Sequence, residues 1–259
     1  MLENTRTREI TTTGLVVRTL DVGESDKLLT LLTPSEGKIL VSGKGVKNIK
    51  SHRLHTSQLF CYCEFVLAAK GDRYYLREAS LIEDFYRLRE DLVSLSLAQY
   101  FMEVISIVTI TGEDQSEILR LSLNCLYLLT EKKKPQSFIK AGFELRLASL
   151  LGYKPNLCRC DSCGKKVLSS IFDIDGGIVF CRECQSSGKG TAENTLIAHL
   201  DEETTTSMEY LCTAPEKRIF AFSPSEETLS SLSSICEKYL IEHLERSFDT
   251  LEFYKSICF

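Results

Sequence analysis

The hydrophobic pattern of this 259-residue chain changes period near residue 84, and that change restricts it to folds with two unlike parts. Before the change, short runs rich in β-branched residues follow one another. They are ITTTGLVVRTL at 10–20, DKLLTLLT at 26–33, GKILVSGK at 37–44, LFCYCEFVLAA at 59–69 and RYYLREASLIE at 73–83. Gly23, the stretch 34–37, Gly43 with Gly45, and Gly71 with Asp72 separate them as turn signals. Five short strands with one long middle connection predict a small closed barrel of the OB type. A fragment of a two-layer sandwich is the alternative.

After the change, apolar residues recur every three or four positions. The spacing predicts helices over 88–109, 115–133 and 135–153, the last with Pro135 at its start and Gly152 near its end. Ser225 followed by Thr228 is a capping pattern that opens a further helix within 223–245. SFDTLEFYKSI at 247–257 reads as a short final helix, and QSSGKGTAEN at 185–194 as a polar loop. The expected class is α+β, with an N-terminal five-stranded OB-type β-barrel over 1–83. A helical domain over 84–259 would carry a cysteine module at about 157–190.

That module contains Cys160, Cys163, Cys181 and Cys184, two CxxC pairs with seventeen residues between them. Each pair sets two thiolates on one tight turn, and two such turns can close a tetrahedron around Zn²⁺. Four protein ligands leave no position for water or substrate, so such a zinc, one per chain, would be structural. Gly164, Gly176 and Gly177 would let the backbone turn towards the metal. Cys158 lies two residues upstream of Cys160 and is an alternative ligand to it. Free thiols or disulfides are the other reading. Cys61, Cys63, Cys125, Cys212, Cys236 and Cys258 have no ligand spacing with the four. Cys61 and Cys63 alternate, which puts both on one side of a sheet.

Hydrophobic residues make up 43% of the chain, enough for a core, and no apolar run approaches the length of a membrane span. The opening MLENTRTREITTTG does not read as a signal peptide, so a reducing cytoplasm is the expected compartment for eleven cysteines. The net charge of −5 hides an asymmetry: residues 1–80 carry 12 Lys+Arg against 9 Asp+Glu, and the rest 19 against 27. From Gly37 to Cys63 there is no acidic residue, while Lys38, Lys44, Lys47, Lys50 and Arg53 stand there with His52 and His55. Closely spaced cations among glycines suit a phosphate backbone, whose neutralisation releases counterions. Phe60, Tyr62, Tyr74 and Tyr75 on the neighbouring strands are candidates to stack on bases. The bland reading is a solvated loop.

Catalysis has no support. There is no GxxxxGK[ST], no HExxH and no GxSxG, and the four histidines are scattered. Glu24 with Asp26 reads as a turn with solvated charges rather than a carboxylate pair. Two rival classes are a protein-interaction scaffold whose basic loop docks an acidic partner, and a redox protein using the CxxC thiols.

The segments GLVVRTLDVGESDKLLTLLTPSEGKILVSGKGVK, YYLREASLIEDFYRLREDLVSLSLAQYFMEV, FELRLASLLGYKPNLCRCDSCG, GGIVFCREC and HLERSFDTLEFYKSI are together similar to the RecO family of bacterial recombination mediators. The resemblance is collinear and covers essentially the whole chain. It implies an N-terminal OB domain that binds single- and double-stranded DNA, and a helical domain with a zinc module. It further implies annealing of complementary strands and, with RecR, loading of RecA onto strands coated with SSB, whose C-terminal tail contacts RecO. It implies no nucleotide hydrolysis, and a place in the bacterial cytoplasm near the nucleoid. The family's zinc pattern maps onto Cys160, Cys163, Cys181 and Cys184, and its basic barrel surface onto Lys38 and Lys44. Lys47, Lys50 and Arg53 rest on composition.

Overall fold

The β-branched and apolar runs form β1 (Arg8–Val22), β2 (Asp26–Thr33), β3 (Gly37–Gly43), β4 (Tyr62–Lys70) and β5 (Arg73–Glu83), with buried and exposed side chains alternating most clearly in β3 and β4 and β2 buried continuously from Leu29 to Thr33. A computed structural model describes residues 7–192 and 195–258 of the chain. The first six residues of the opening segment, and Glu193 and Asn194 of the polar loop, lie outside the described residues. The five strands hydrogen-bond in the order β1-β2-β3-β5-β4 and close into a barrel. Every pairing is antiparallel except β3 with β5, which is parallel over Val41↔Tyr74 and Ser42↔Tyr75. Leu29, Leu31, Val41, Phe65, Leu67 and Leu76 fill the interior. Cys61 and Cys63 both point into it, as their alternation requires.

β1 is longer than its sequence pattern because it pairs with β2 at one end and β4 at the other, with a bulge between Val16 and Arg18 that bends it around the barrel. β4 begins later than expected. Phe60 takes a left-handed conformation (φ 73°), donates its N–H to the Val16 carbonyl at 3.0 Å, while the Val16 N–H donates to Cys61 O at 2.9 Å, and is buried. It therefore offers no face to a ligand.

The 3₁₀ turn Tyr86–Glu90 precedes α2 (Leu92–Val108), and Asp91 caps that helix by accepting from the Val93 N–H at 3.2 Å. The helix thus starts four residues after its periodicity does. α3 (Ser116–Glu131) follows. The chain between α2 and α3 is stitched to the β2–β3 turn. Lys38 N–H donates to Ile110 O, Gly112 N–H to Glu36 O and Gln115 N–H to Pro34 O, at 3.1, 2.9 and 2.8 Å. Gly37 permits this approach, since a Cβ there would lie 2.1 Å from Ile110 O. α8 (Asp249–Ile257) returns to α2, with the Phe248 ring edge-on to Tyr100 at 5.7 Å and Thr250 donating to the Glu103 carboxylate. One compact unit therefore runs through Thr130 and takes in the chain from Phe248 onward. The change of secondary structure near residue 84 falls inside it.

The second unit, Glu131–Ser247, contains α4 (Gln136–Leu150), α5 (Arg182–Ser186), α6 (Glu202–Thr213) and α7 (Glu226–Leu244). It also holds a small sheet of β6 (Asn156–Cys160), β7 (Ser170–Asp173), β8 (Ile178–Phe180) and β9 (Ile197–Leu200), ordered β6-β8-β7-β9. Ser225 caps α7 through the Thr228 N–H as the sequence indicates. α4 packs on α7 with an ionic cluster inside the contact. The Lys140 ammonium lies 2.9 Å from Glu144 and 2.7 Å from Glu237, with the Lys140 side chain only 2% exposed. Burial pushes the Lys140 pKa down, but the two carboxylates outweigh it and hold it above the ordinary lysine value. Lys140→Met removes the cation between two carboxylates, and should destabilise the protein by about 3–5 kcal/mol in urea unfolding. Replacing all three residues with apolar ones of similar volume should restore most of that loss.

Candidate functional site

β3 pairs in parallel with β5 and not with β4, the next strand in the chain, so no hairpin follows it and residues 44–61 make the long connection to β4 instead. This crossing is the basic segment, with the single helical turn α1 (Arg53–Thr56) in it. Its shape is fixed by hydrogen bonds at its root. Asp26 Oδ1 accepts from the Gly45 N–H at 2.8 Å and from Ser25 Oγ at 2.9 Å. Those two donors, the Gly45 amide first, hold the Asp26 carboxyl below the usual carboxylate range. The carboxylate read from sequence as a solvated turn charge is therefore a latch. Lys47 N–H donates to Ser25 O at 2.9 Å, and the Lys47 ammonium pairs with Asp21 at 2.9 Å. Arg53 donates to Leu76 O at 3.0 Å and to Lys44 O at 3.1 Å, tying the middle of the loop to β5 and to the loop's own start. Val46 is buried in the barrel core.

The five cations expected at a nucleic-acid surface are thus put to different uses. Lys44 and Lys50 are exposed and without an ion pair among the described residues. Lys47 and Arg53 are half-buried and hold the loop. Lys38 stands apart: its ammonium donates to Ser106 O on α2 at 2.7 Å, and burial lowers its pKa.

Beside the loop lies a groove of about 520 Å³ on the outer face of the sheet. Ser42, Tyr75 and Ala68 are direct cross-strand neighbours and form its floor. Residues two positions along a strand share a face, so Arg77 on β5, Lys70 on β4 and Lys44 just past β3 rise around that floor. Arg53, Leu76 and Thr7 complete the lining, and among the described residues no acidic side chain contributes to it. Lys70 and Arg77 were not apparent from the sequence, because acidic residues sit near each (Asp72, Glu78) and only the strand register separates the two signs. Tyr75 is in the groove, whereas Phe60 is buried in the barrel wall.

The second unit brings together Cys160, Cys163, Cys181 and Cys184, whose four sulfurs all lie within 4.8 Å of one another. The Cys163–Cys181 Sγ separation of 3.8 Å matches the edge of a tetrahedron with metal–sulfur bonds of about 2.3 Å. Each CxxC forms a tight turn. Gly164 N–H donates to Cys160 O at 2.8 Å in the first, and Cys184 N–H to Cys181 Sγ at 3.4 Å at the start of α5 in the second. Lys165 and Glu183 pair at 2.8 Å across the two turns. Burial pushes the Cys160 thiol up, but backbone N–H donors from Cys181 and Cys163 outweigh it and bring it down to about 6. The Cys184 thiol is drawn down by Ser162, yet the surrounding thiols and burial push it up to about 12. Four sulfurs this close cannot all ionise unless a cation neutralises them, so the donor set fits a soft divalent metal. Cys158 lies outside the cluster: its thiol donates to Glu209 Oε1 at 2.8 Å. The turns are carried by β6, β8 and α5 rather than by bare loops.

Two family models match the chain. One described as "Recombination protein O N terminal" covers residues 7–85, and one described as "Recombination protein O C terminal" covers residues 89–252. Among similar proteins, the DNA repair protein RecO of Acetivibrio thermocellus is 32% identical over 248 residues, 95% of this chain and 96% of the relative. That of Alkaliphilus metalliredigens is 31% identical over 252 residues, 96% and 99% of the two chains. That of Clostridium kluyveri is 28% identical over 249 residues, 95% and 93%.

The Asp26 latch has a pH signature. Its folded-state pKa is lowered, so its contribution is complete above the unfolded value near about 4 and is lost as pH falls through the folded one. Protection of the Gly45 amide from hydrogen exchange, taken relative to its intrinsic rate at each pH, should fall on acidification through that window. Asp26→Ala should give the faster exchange already at neutral pH; equal protection in the variant would rule the latch out.

Proposed function

The chain belongs to the RecO family of DNA-repair proteins, and we propose that it acts as a non-catalytic mediator that binds single- and double-stranded DNA on its barrel and anneals complementary strands. The observation that carries this reading is the groove of Lys44, Arg53, Lys70 and Arg77 around Tyr75, with no carboxylate in its lining among the described residues. A five-stranded closed barrel with a parallel β3–β5 closure supports an OB-type assignment, and such barrels bind oligonucleotides on the sheet and its loops.

In this mechanism Lys44, Lys50, Lys70 and Arg77 neutralise phosphates and displace condensed counterions. Repulsion between two strands held there falls, and their bases pair. Tyr75 gives a base a ring to stack on. Lys47 and Arg53 fix the loop that presents these charges, and Lys38 holds α2 against the barrel. We assign the four-cysteine cluster to one structural zinc per chain, which would neutralise the thiolates and fill its coordination shell with sulfur. The family supports RecR and the acidic tail of SSB as partners, RecA loading as the outcome, and the bacterial cytoplasm as the site of action. Among the described residues no helix is long and apolar enough to cross a membrane.

Annealing of labelled complementary oligonucleotides, naked and SSB-coated, tests the reading. Acceleration should need no nucleotide and should fade with salt. Lys44→Glu with Lys70→Glu and Arg77→Glu should weaken single-strand binding and reduce the slope of log K against log salt by about 2. An unchanged slope would remove the groove from the interface. Tail binding with no DNA affinity would favour a docking scaffold. Metal analysis should find one zinc per chain, lost in Cys163→Ser together with thermal stability. A low-pKa thiol that reacts freely in the wild type would favour redox chemistry instead.

A further inference from the structure

Ile49 is 93% exposed, the most exposed large apolar side chain among the described residues. It sits at the far point of the basic loop, between Lys47 and Lys50, with Lys44 and Arg53 at the two roots on the groove. Other exposed apolar residues such as Leu20 and Leu40 lie on strands beside neighbours of their own sheet. Ile49 lies instead between two successive turns. Asn48 N–H donates to Gly45 O at 3.3 Å, and Ser51 N–H to Asn48 O at 2.7 Å. The loop below is fixed by the Asp26, Lys47 and Arg53 contacts and by Val46 in the barrel core. Of Val46 and Ile49, the loop therefore buries the first in the barrel core and presents the second on a fixed backbone.

We propose that Ile49 is a wedge that enters between adjacent bases of a single DNA strand whose phosphates lie on Lys44, Lys50, Lys70 and Arg77. The inference rests on the groove being a nucleic-acid surface. Aliphatic side chains unstack base steps when neighbouring cations hold the backbone, because the apolar side chain replaces one base face against the other. A β-branched side chain suits the task, since its restricted χ1 keeps the blade rigid. The opened step exposes base edges to an incoming complementary strand, which links the wedge to annealing. Charge complementarity selects the occupant: an apolar side chain on a loop that also carries the exposed Lys44 and Lys50 fits a polyanion with apolar faces between its charges, as a single strand is.

The test uses the full chain and a single-stranded oligonucleotide carrying 2-aminopurine within an adenine run, where stacking quenches emission. At saturating protein, the wild type should raise the emission severalfold. Ile49→Leu should retain the rise and Ile49→Ser should lose most of it, while both keep the wild-type salt dependence of binding measured by anisotropy. An Ile49→Ser rise equal to that of the wild type at equal occupancy overturns the wedge, as does a wild type that binds with no rise. Lys44→Glu with Arg77→Glu separates the underlying reading. If this pair binds as the wild type does, the groove is not the nucleic-acid surface and the wedge goes with it. If it fails to bind while Ile49→Ser behaves like the wild type, the groove stands and the wedge alone is removed.

Discussion

The parallel contact between β3 and β5 is the constraint on which the barrel end depends. It is the only parallel pairing among the five strands, and it spans two residue pairs. Antiparallel neighbours can be joined by short turns, but a parallel closure demands that the chain leave β3, cross the barrel and re-enter through β4 before β5 can dock. The long basic connection exists because of that demand. The same closure sets Ser42 beside Tyr75, and Tyr75 beside Ala68, creating a floor that no single strand contains.

Charge in this region is divided between structure and presentation. Lys38, Lys47 and Arg53 spend donors on Ser106 O, Asp21 and the carbonyls of Lys44 and Leu76. Lys44, Lys50, Lys70 and Arg77 remain turned to solvent. Lys47 and Arg53 fix the basic loop, while strand register places Lys70 and Arg77, so the proposed surface would cost little ordering entropy to a ligand. The cysteine cluster follows a related logic in the second unit. Backbone amides already point at the sulfurs, so the turns are shaped for a cation by hydrogen bonds within them.

Much of this architecture was legible because the periods of two and 3.6 residues persist over long runs. The barrel strands, α2, α3, α4 and α7 are each long enough for the pattern to dominate. Cysteine spacing pointed directly to the four sulfurs that the fold brings together. β6 to β9 were not legible, since three to five residues cannot establish a period. α6 was missed because its EETTTS start has little helix propensity, although Asp201 accepting from the Thr204 N–H at 2.7 Å, with Glu202 and Glu203 in the first turn, is a capping signal. Lys70 and Arg77 join Lys44 only through cross-strand register, a long-range property that composition cannot carry. The assignment of Lys38 to α2, and of Phe60 to the barrel wall, likewise depends on contacts between distant segments.

The return of α8 to α2 makes the barrel-bearing unit discontinuous in sequence, with all of Glu131–Ser247 inserted between its parts. On the ribosome the strands and α2 emerge early, but the α2 face that receives Phe248 and Leu251 stays uncovered while more than a hundred further residues are made. The barrel-bearing unit can therefore close its α2 face only after the whole of the second unit has been synthesised, so its folding waits on a segment that contributes nothing to its core.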